Sequence, residues 1–131
     1  MEEQEISIAD EIAEIGKLLS DPERWTAENV AESKKRASCK PCASRAVRWS
    51  VAGAVAKQCN WDLDEDYAGS RDFAAIYGHI SLTAHRLYKK TVEQVEREMG
   101  HQGMLTMLRH AYRTAKAAEN ASRASQERLG V

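Results

Sequence analysis

Residues 43–59, ASRAVRWSVAGAVAKQC, decide how this chain is read, because wound as a helix they are apolar around nearly the whole circumference. Val47, Val51, Ala54 and Val55 form one stripe at i, i+4, i+7 and i+8, and Trp49, Ala52 and Ala56 form a second on another side. Only Arg45, Arg48, Ser50 and Lys57 interrupt the pattern. A helix buried on all sides belongs at the centre of a bundle, so the stretch reads as a scaffold without visible chemistry. Gly53 costs about 1 kcal/mol against alanine inside a helix, and its expected use is to let a neighbouring helix come close.

Outward from this stretch, the apolar spacing predicts further helices. Ile8, Ile12, Ile15 and Leu19 make an amphipathic stripe that ends before Pro22. Asp21 is expected to cap a new turn begun by Pro22, carrying Trp25 inward, and residues 26–29 repeat a capping pattern more weakly. The polar and basic run 33–41, SKKRASCKP, reads as an exposed connection. Ser70 and Asp72 open a helix through Phe73, Ile76, Tyr77, Ile80, Ala84, Leu87 and Tyr88. Thr91 and Gln94 form a capping box for residues 92–99, and GHQG at 100–103 predicts a break. Met104, Leu105, Leu108, Ala111, Tyr112, Ala115 and Ala118 then mark the last amphipathic helix, beyond which the chain is expected to fray. No segment alternates at period two for long enough to predict a strand. The expectation is therefore an all-α, compact single-domain bundle of four or five helices around a central helix at 43–59. That domain spans 1–118, and a polar, alanine-rich tail follows at 119–131.

Composition bounds the function classes. At 131 residues, 30% of them charged and 43% hydrophobic, the chain has room for one core and is not disordered in composition. No apolar run approaches the ~18 residues of a membrane span. The acidic opening MEEQEIS lacks a secretory pattern, and three cysteines cannot all pair, so a cytoplasmic protein without membrane partners is expected. The net charge of −1 conceals blocks: residues 1–33 hold ten acids and two bases, whereas residues 34–57 hold seven bases and no acid. Such blocks either lie against each other or give the fold faces that a partner reads.

Cys39-Lys40-Pro41-Cys42 is the recognisable ligand motif, since two thiolates at this spacing can share a tetrahedral zinc. Cys59 is the candidate third ligand, and one of His79, His85, His101 or His110 the fourth, with no second paired motif in the chain. The βαβ setting of a redox CxxC is absent. Lys34, Lys35, Arg36, Lys40, Arg45 and Arg48, with Trp49, could hold a phosphate backbone, while Arg86, Lys89 and Lys90 form a second basic cluster. The acidic group Asp62, Asp64, Glu65 and Asp66 lacks the glycine and the terminal glutamate of a calcium loop. Without a glycine-rich phosphate loop, nucleophile elbow or catalytic carboxylate pair, a non-enzymatic protein is expected.

Three segments, LLSDPERWT at 18–26, AVRWSVAGA at 46–54 and GMLTMLRHA at 103–111, resemble a family of small proteins from actinobacteria and their phages, grouped as a domain of unknown function. This chain carries Ser50 where that family has a cysteine after the tryptophan. It carries Glu98-Met99 where the family has an Asn-Asp pair. The resemblance implies a small all-helical domain of phage or prophage origin. Together with the charge blocks it predicts a protein that binds a host macromolecule, a host protein complex with a defence or regulatory role, and inhibits it. Glu11 and Glu14 would present the acidic face to such a partner. The alternative is a nucleic-acid-binding protein that uses the basic segment 34–48 with a structural zinc.

Overall fold

The computed structural model describes residues 6–63 and 70–128. Helix α1 (Ile8–Leu19) leads into a 3-10 turn at Pro22–Arg24, and strands β1 (Ala31–Ser33) and β2 (Ala46–Trp49) follow. Helices α2 (Val51–Gln58), α3 (Ser70–Tyr88) and α4 (Val92–Arg128) complete the order. The all-α expectation is thus corrected: the fold is dominated by helices but contains a two-stranded antiparallel sheet.

The correction falls on the central stretch. Residues 46–49 are strand, paired Ala31↔Trp49, Glu32↔Arg48 and Ser33↔Ala46, with an irregularity between Glu32 and Ser33. Helix begins only at Val51, where the Ser50 hydroxyl caps it by accepting from the Gly53 N–H at 3.1 Å. The apolar circumference is the sum of two shorter patterns. The strand buries Ala46 and Trp49 and leaves Val47 38% exposed, and the helix buries Val51, Ala54, Val55 and Ala56. Across the irregularity the strand does not alternate strictly, so its buried residues stand three apart, and together with the 3.6-period face of α2 they fill every side of a single helical projection. Gly53 does admit a close neighbour, but that neighbour is the chain entering β1. A Cβ there would lie 1.8 Å from the Val30 carbonyl oxygen.

The helices form the larger layer. α1 runs antiparallel to the long arm of α4: Leu19 O accepts from His101 Nε2 at 2.7 Å at one end, and Glu119 meets the first turn of α1 at the other. Ile12, Ile15 and Leu19 are buried in the same core as Met104, Met107, Leu108, Ala111 and Ala115, and α3 adds Ile76, Ile80 and Ala84. The Ser7 hydroxyl caps α1, accepting from Asp10 N–H and donating to Glu119 Oε1. The Asp21 cap before Pro22 and the reciprocal Thr91–Gln94 box form as expected. At Gly100 the expected break occurs in a conformation (φ 72°, ψ −166°) that is essentially reserved for glycine. Beyond Ala118, where fraying was expected, α4 stays helical to Arg128, in keeping with the helix propensity of its Ala, Glu and Arg residues. The weak pattern at 26–29 does not form a helix. No described helix is long and apolar enough to cross a membrane.

Candidate functional site

The run SKKRASCKP is a built structure and not a plain connection. Arg36 N–H donates to Ser33 O and Ser33 N–H to Ala37 O, both at 2.9 Å, with Arg36 in the left-handed region at φ 63°. This is a three-residue hairpin loop with Lys34, Lys35 and Arg36 at its tip. After the tip the chain returns antiparallel along β1, bridging Glu32↔Ser38, and Cys39 N–H donates to Ala31 O. The rest of the connection is pinned from inside. Trp49 Nε1 donates to Pro41 O and Cys42 N–H to Asp62 Oδ1, each at 2.9 Å.

On this frame Lys34, Lys35, Arg36, Lys40 and Arg45 are all exposed. Arg48 is half-buried on β2, its Nη1 donating to Ser33 O at 3.1 Å. Among the described residues the ion pair seen on this surface is Arg36 with Glu32, at 3.9 Å. A cavity of about 310 Å³ lies beside it, lined in part by Cys42, Ser44, Trp49 and Lys57, with Lys57 Nζ 5.5 Å from the Trp49 ring centroid.

The other predicted site residues are scattered. Glu14 is exposed and pairs with Lys17 at 3.3 Å, while Glu11 is half-buried beside Cys59. Cys39, Cys42 and Cys59 are half-buried thiols outside any disulfide. Burial, reinforced by the charges of Asp72 and Glu11, pushes the Cys59 thiol up to about 11, away from the thiolate that metal binding requires. Among the described residues no group of three or more His, Cys, Asp or Glu side chains is arranged to hold a metal ion. His79 Nε2 lies 3.0 Å from both Ala111 O and Thr114 Oγ1, joining α3 to α4. Of the second basic cluster, Arg86 and Lys89 are exposed at the end of α3 and Lys90 is paired with Glu98. Asp62 serves as the acceptor for Cys42; Asp64, Glu65 and Asp66 lie outside the described residues.

Two buried carboxylates escaped the sequence reading. Glu96, 3% exposed, accepts from Trp25 Nε1 and from the Val51 N–H at the start of α2, both at 2.9 Å. Burial lifts its carboxyl to about 7 against the pull of those two bonds. It stands on the stripe of Val92 and Val95, so a charged residue at an apolar position was its signal. Glu32, 2% exposed, accepts from Thr26 Oγ1 and Asn29 Nδ2. Its one trace in the sequence is Arg36 four residues on. Comparison with protein-family models, with curated proteins and with solved structures finds no match to this chain.

Proposed function

We propose that this protein is a non-enzymatic, cytoplasmic nucleic-acid-binding protein whose contact element is the hairpin 31–39 and the connection that follows it. The observation that carries the reading is the set of five exposed cations on a hydrogen-bonded frame, Arg36 being the one of them in an ion pair among the described residues. A phosphate backbone asks only for clustered Lys and Arg, and the major groove, about 12 Å wide, admits a two-stranded ribbon. A frame already fixed by hydrogen bonds loses little conformational freedom when it docks.

The reading as an inhibitor of a host complex through the acidic face has less support, because Glu14 is engaged by Lys17 and Glu11 is drawn towards the core. A phage or prophage origin rests on the three resembling segments alone.

The test is fluorescence anisotropy of the full chain with a labelled DNA duplex across a salt series. Binding that weakens steeply with salt and disappears when Lys34, Lys35 and Arg36 are all changed to alanine supports the reading. Binding that survives the triple change overturns it. Nuclease-resistant capture of one host protein, with no duplex binding, favours the inhibitor reading instead.

A further inference from the structure

Glu32 is a carboxylate in an unusual place, at the base of a basic hairpin tip and almost wholly removed from water. Its two oxygens have different surroundings. Oε2 accepts from the Thr26 hydroxyl at 2.9 Å and from the Asn29 amide at 2.8 Å, which closes the turn before β1. Oε1 is as deeply buried and has no hydrogen-bond partner among the described residues; the Arg36 guanidinium, with Nη1 at 3.9 Å, is its cation. A residue needed only for the turn would use Oε2 alone. The second oxygen is turned towards charge.

Arg36 is unusual in the complementary sense. It occupies the left-handed position of the three-residue loop, where glycine or asparagine is the low-cost choice. Its side chain is nevertheless 67% exposed and points one nitrogen at Glu32. A guanidinium carries five N–H donors in a rigid plane, so one edge can face a carboxylate while the other faces an incoming oxyanion. Lysine, a point charge on a flexible stem, cannot divide itself in this way. On the other flank, Arg48 stands opposite Glu32 in the strand register and donates to Ser33 O, holding the base of the same loop.

We propose that Glu32 is a positioning residue: its Oε1 orients the Arg36 guanidinium at the hairpin tip so that the outer edge meets a phosphate. This rests on the nucleic-acid reading above and deepens it, dividing the tip into one oriented cation, Arg36, and two solvent-exposed ones, Lys34 and Lys35.

The test measures full-length wild type, Glu32→Gln, Arg36→Ala and the double variant against the same labelled duplex over a salt series. Removing a negative charge beside a polyanion site, by itself, strengthens binding. Positioning predicts the opposite sign. Glu32→Gln is expected to lose one phosphate contact, which lowers the salt slope by about 0.9 and weakens binding roughly eightfold at 0.1 M salt. Arg36→Ala is expected to lose as much, and the double variant no more than either single one. Glu32→Gln binding as tightly as wild type or tighter overturns the proposal, as do two losses that multiply. Because Glu32 is buried and its variant could fail to fold, exposed Arg36→Lys gives an independent test. It keeps the charge and loses the fork, so an Arg36→Lys protein that binds like wild type also overturns the proposal. Wild type that fails to bind duplex overturns the nucleic-acid reading itself, and the proposal with it.

Discussion

The layer built from α1, α3 and α4 and the region from Trp25 to Trp49 are held by different forces. In the helical layer Ile12, Ile15, Leu19, Ile76, Ile80, Met104 and Met107 are fully buried, and each such side chain contributes about 1.5–3 kcal/mol by leaving water. The hairpin region buries Ala31, Ala46 and Trp49 and otherwise closes on polar bonds: Glu32 to Thr26 and Asn29, Trp49 to Pro41, and Asp62 to Cys42. Apolar contacts supply stability but tolerate small displacements. Hydrogen bonds add less net energy and fix direction. The helical layer therefore sets whether the protein folds, and the hairpin region sets the shape in which its cations are offered.

The largest effect is expected at the core. Ile15→Ala is expected to cost about 2–5 kcal/mol in denaturant unfolding, because that side chain is fully buried in the core that α1 shares with α3 and α4. A cost under 1 kcal/mol would mean that the helical layer is not the source of stability.

Glu96 joins the two regions and gives the next largest effect. Its folded value of about 7 lies above the ordinary 4.5, so the folded chain holds an extra proton between those values. The stability it contributes is full below about 4.5 and is lost as pH rises through 7, a change on the order of 3 kcal/mol. Glu96→Gln keeps an acceptor for Trp25 and Val51 and should flatten that slope in unfolding curves taken from pH 5 to 8. A slope unchanged by the substitution assigns it to other groups. Glu119 moves stability the other way. Partial burial raises its carboxyl, but bonds from the Ala9 N–H and Ser7 hydroxyl, with the Lys116 and Arg123 charges, bring it below the ordinary value, so its contribution is lost on acidification.

A smaller effect sharpens the boundary between the regions. Gly53→Ala drives a methyl group into the Val30 carbonyl and should cost about 1–3 kcal/mol, the range for overpacking. A thermal melt unchanged by this substitution would show that α2 and the entry to β1 can separate. Smallest of all is the expected effect of the Lys34 and Lys35 double alanine variant on stability, within about 0.5 kcal/mol as for exposed positions, even as duplex binding weakens. Unfolding by that variant would tie the tip to the fold itself.

The same division explains what could be read in advance. α1, α3 and the long arm of α4 were legible because their apolar residues recur at helical spacing; Ser70 marks the start of α3, and Asp21 and Thr91 mark the turn at Pro22–Arg24 and the arm before Gly100. The basic residues of the tip were legible as charge. Their arrangement was not: Arg36 in the left-handed position replaces the glycine that would have announced a hairpin. β1 has three residues and β2 four, too few for alternation to stand out from a helical stripe. Ser50 looks like an interruption of one helix and is the cap that begins another. Glu32 is defined by partners three and six positions back in an irregular turn, and Glu96 by partners forty-five and seventy-one positions away, pairings that no helical or strand periodicity records.

The long sequence separation of the α1–α4 bonds also sets the order of events during synthesis. Ser7 and Glu119 are 112 positions apart, and Leu19 and His101 are 82 apart, so α1 leaves the ribosome long before its packing partner exists. At about 5–20 residues per second that delay is roughly 4 to 20 s, during which the stripe of Ile12, Ile15 and Leu19 has no α4 to cover it. The acidic residues around that stripe, Asp10, Glu11 and Glu14, give the nascent helix a soluble face while it waits.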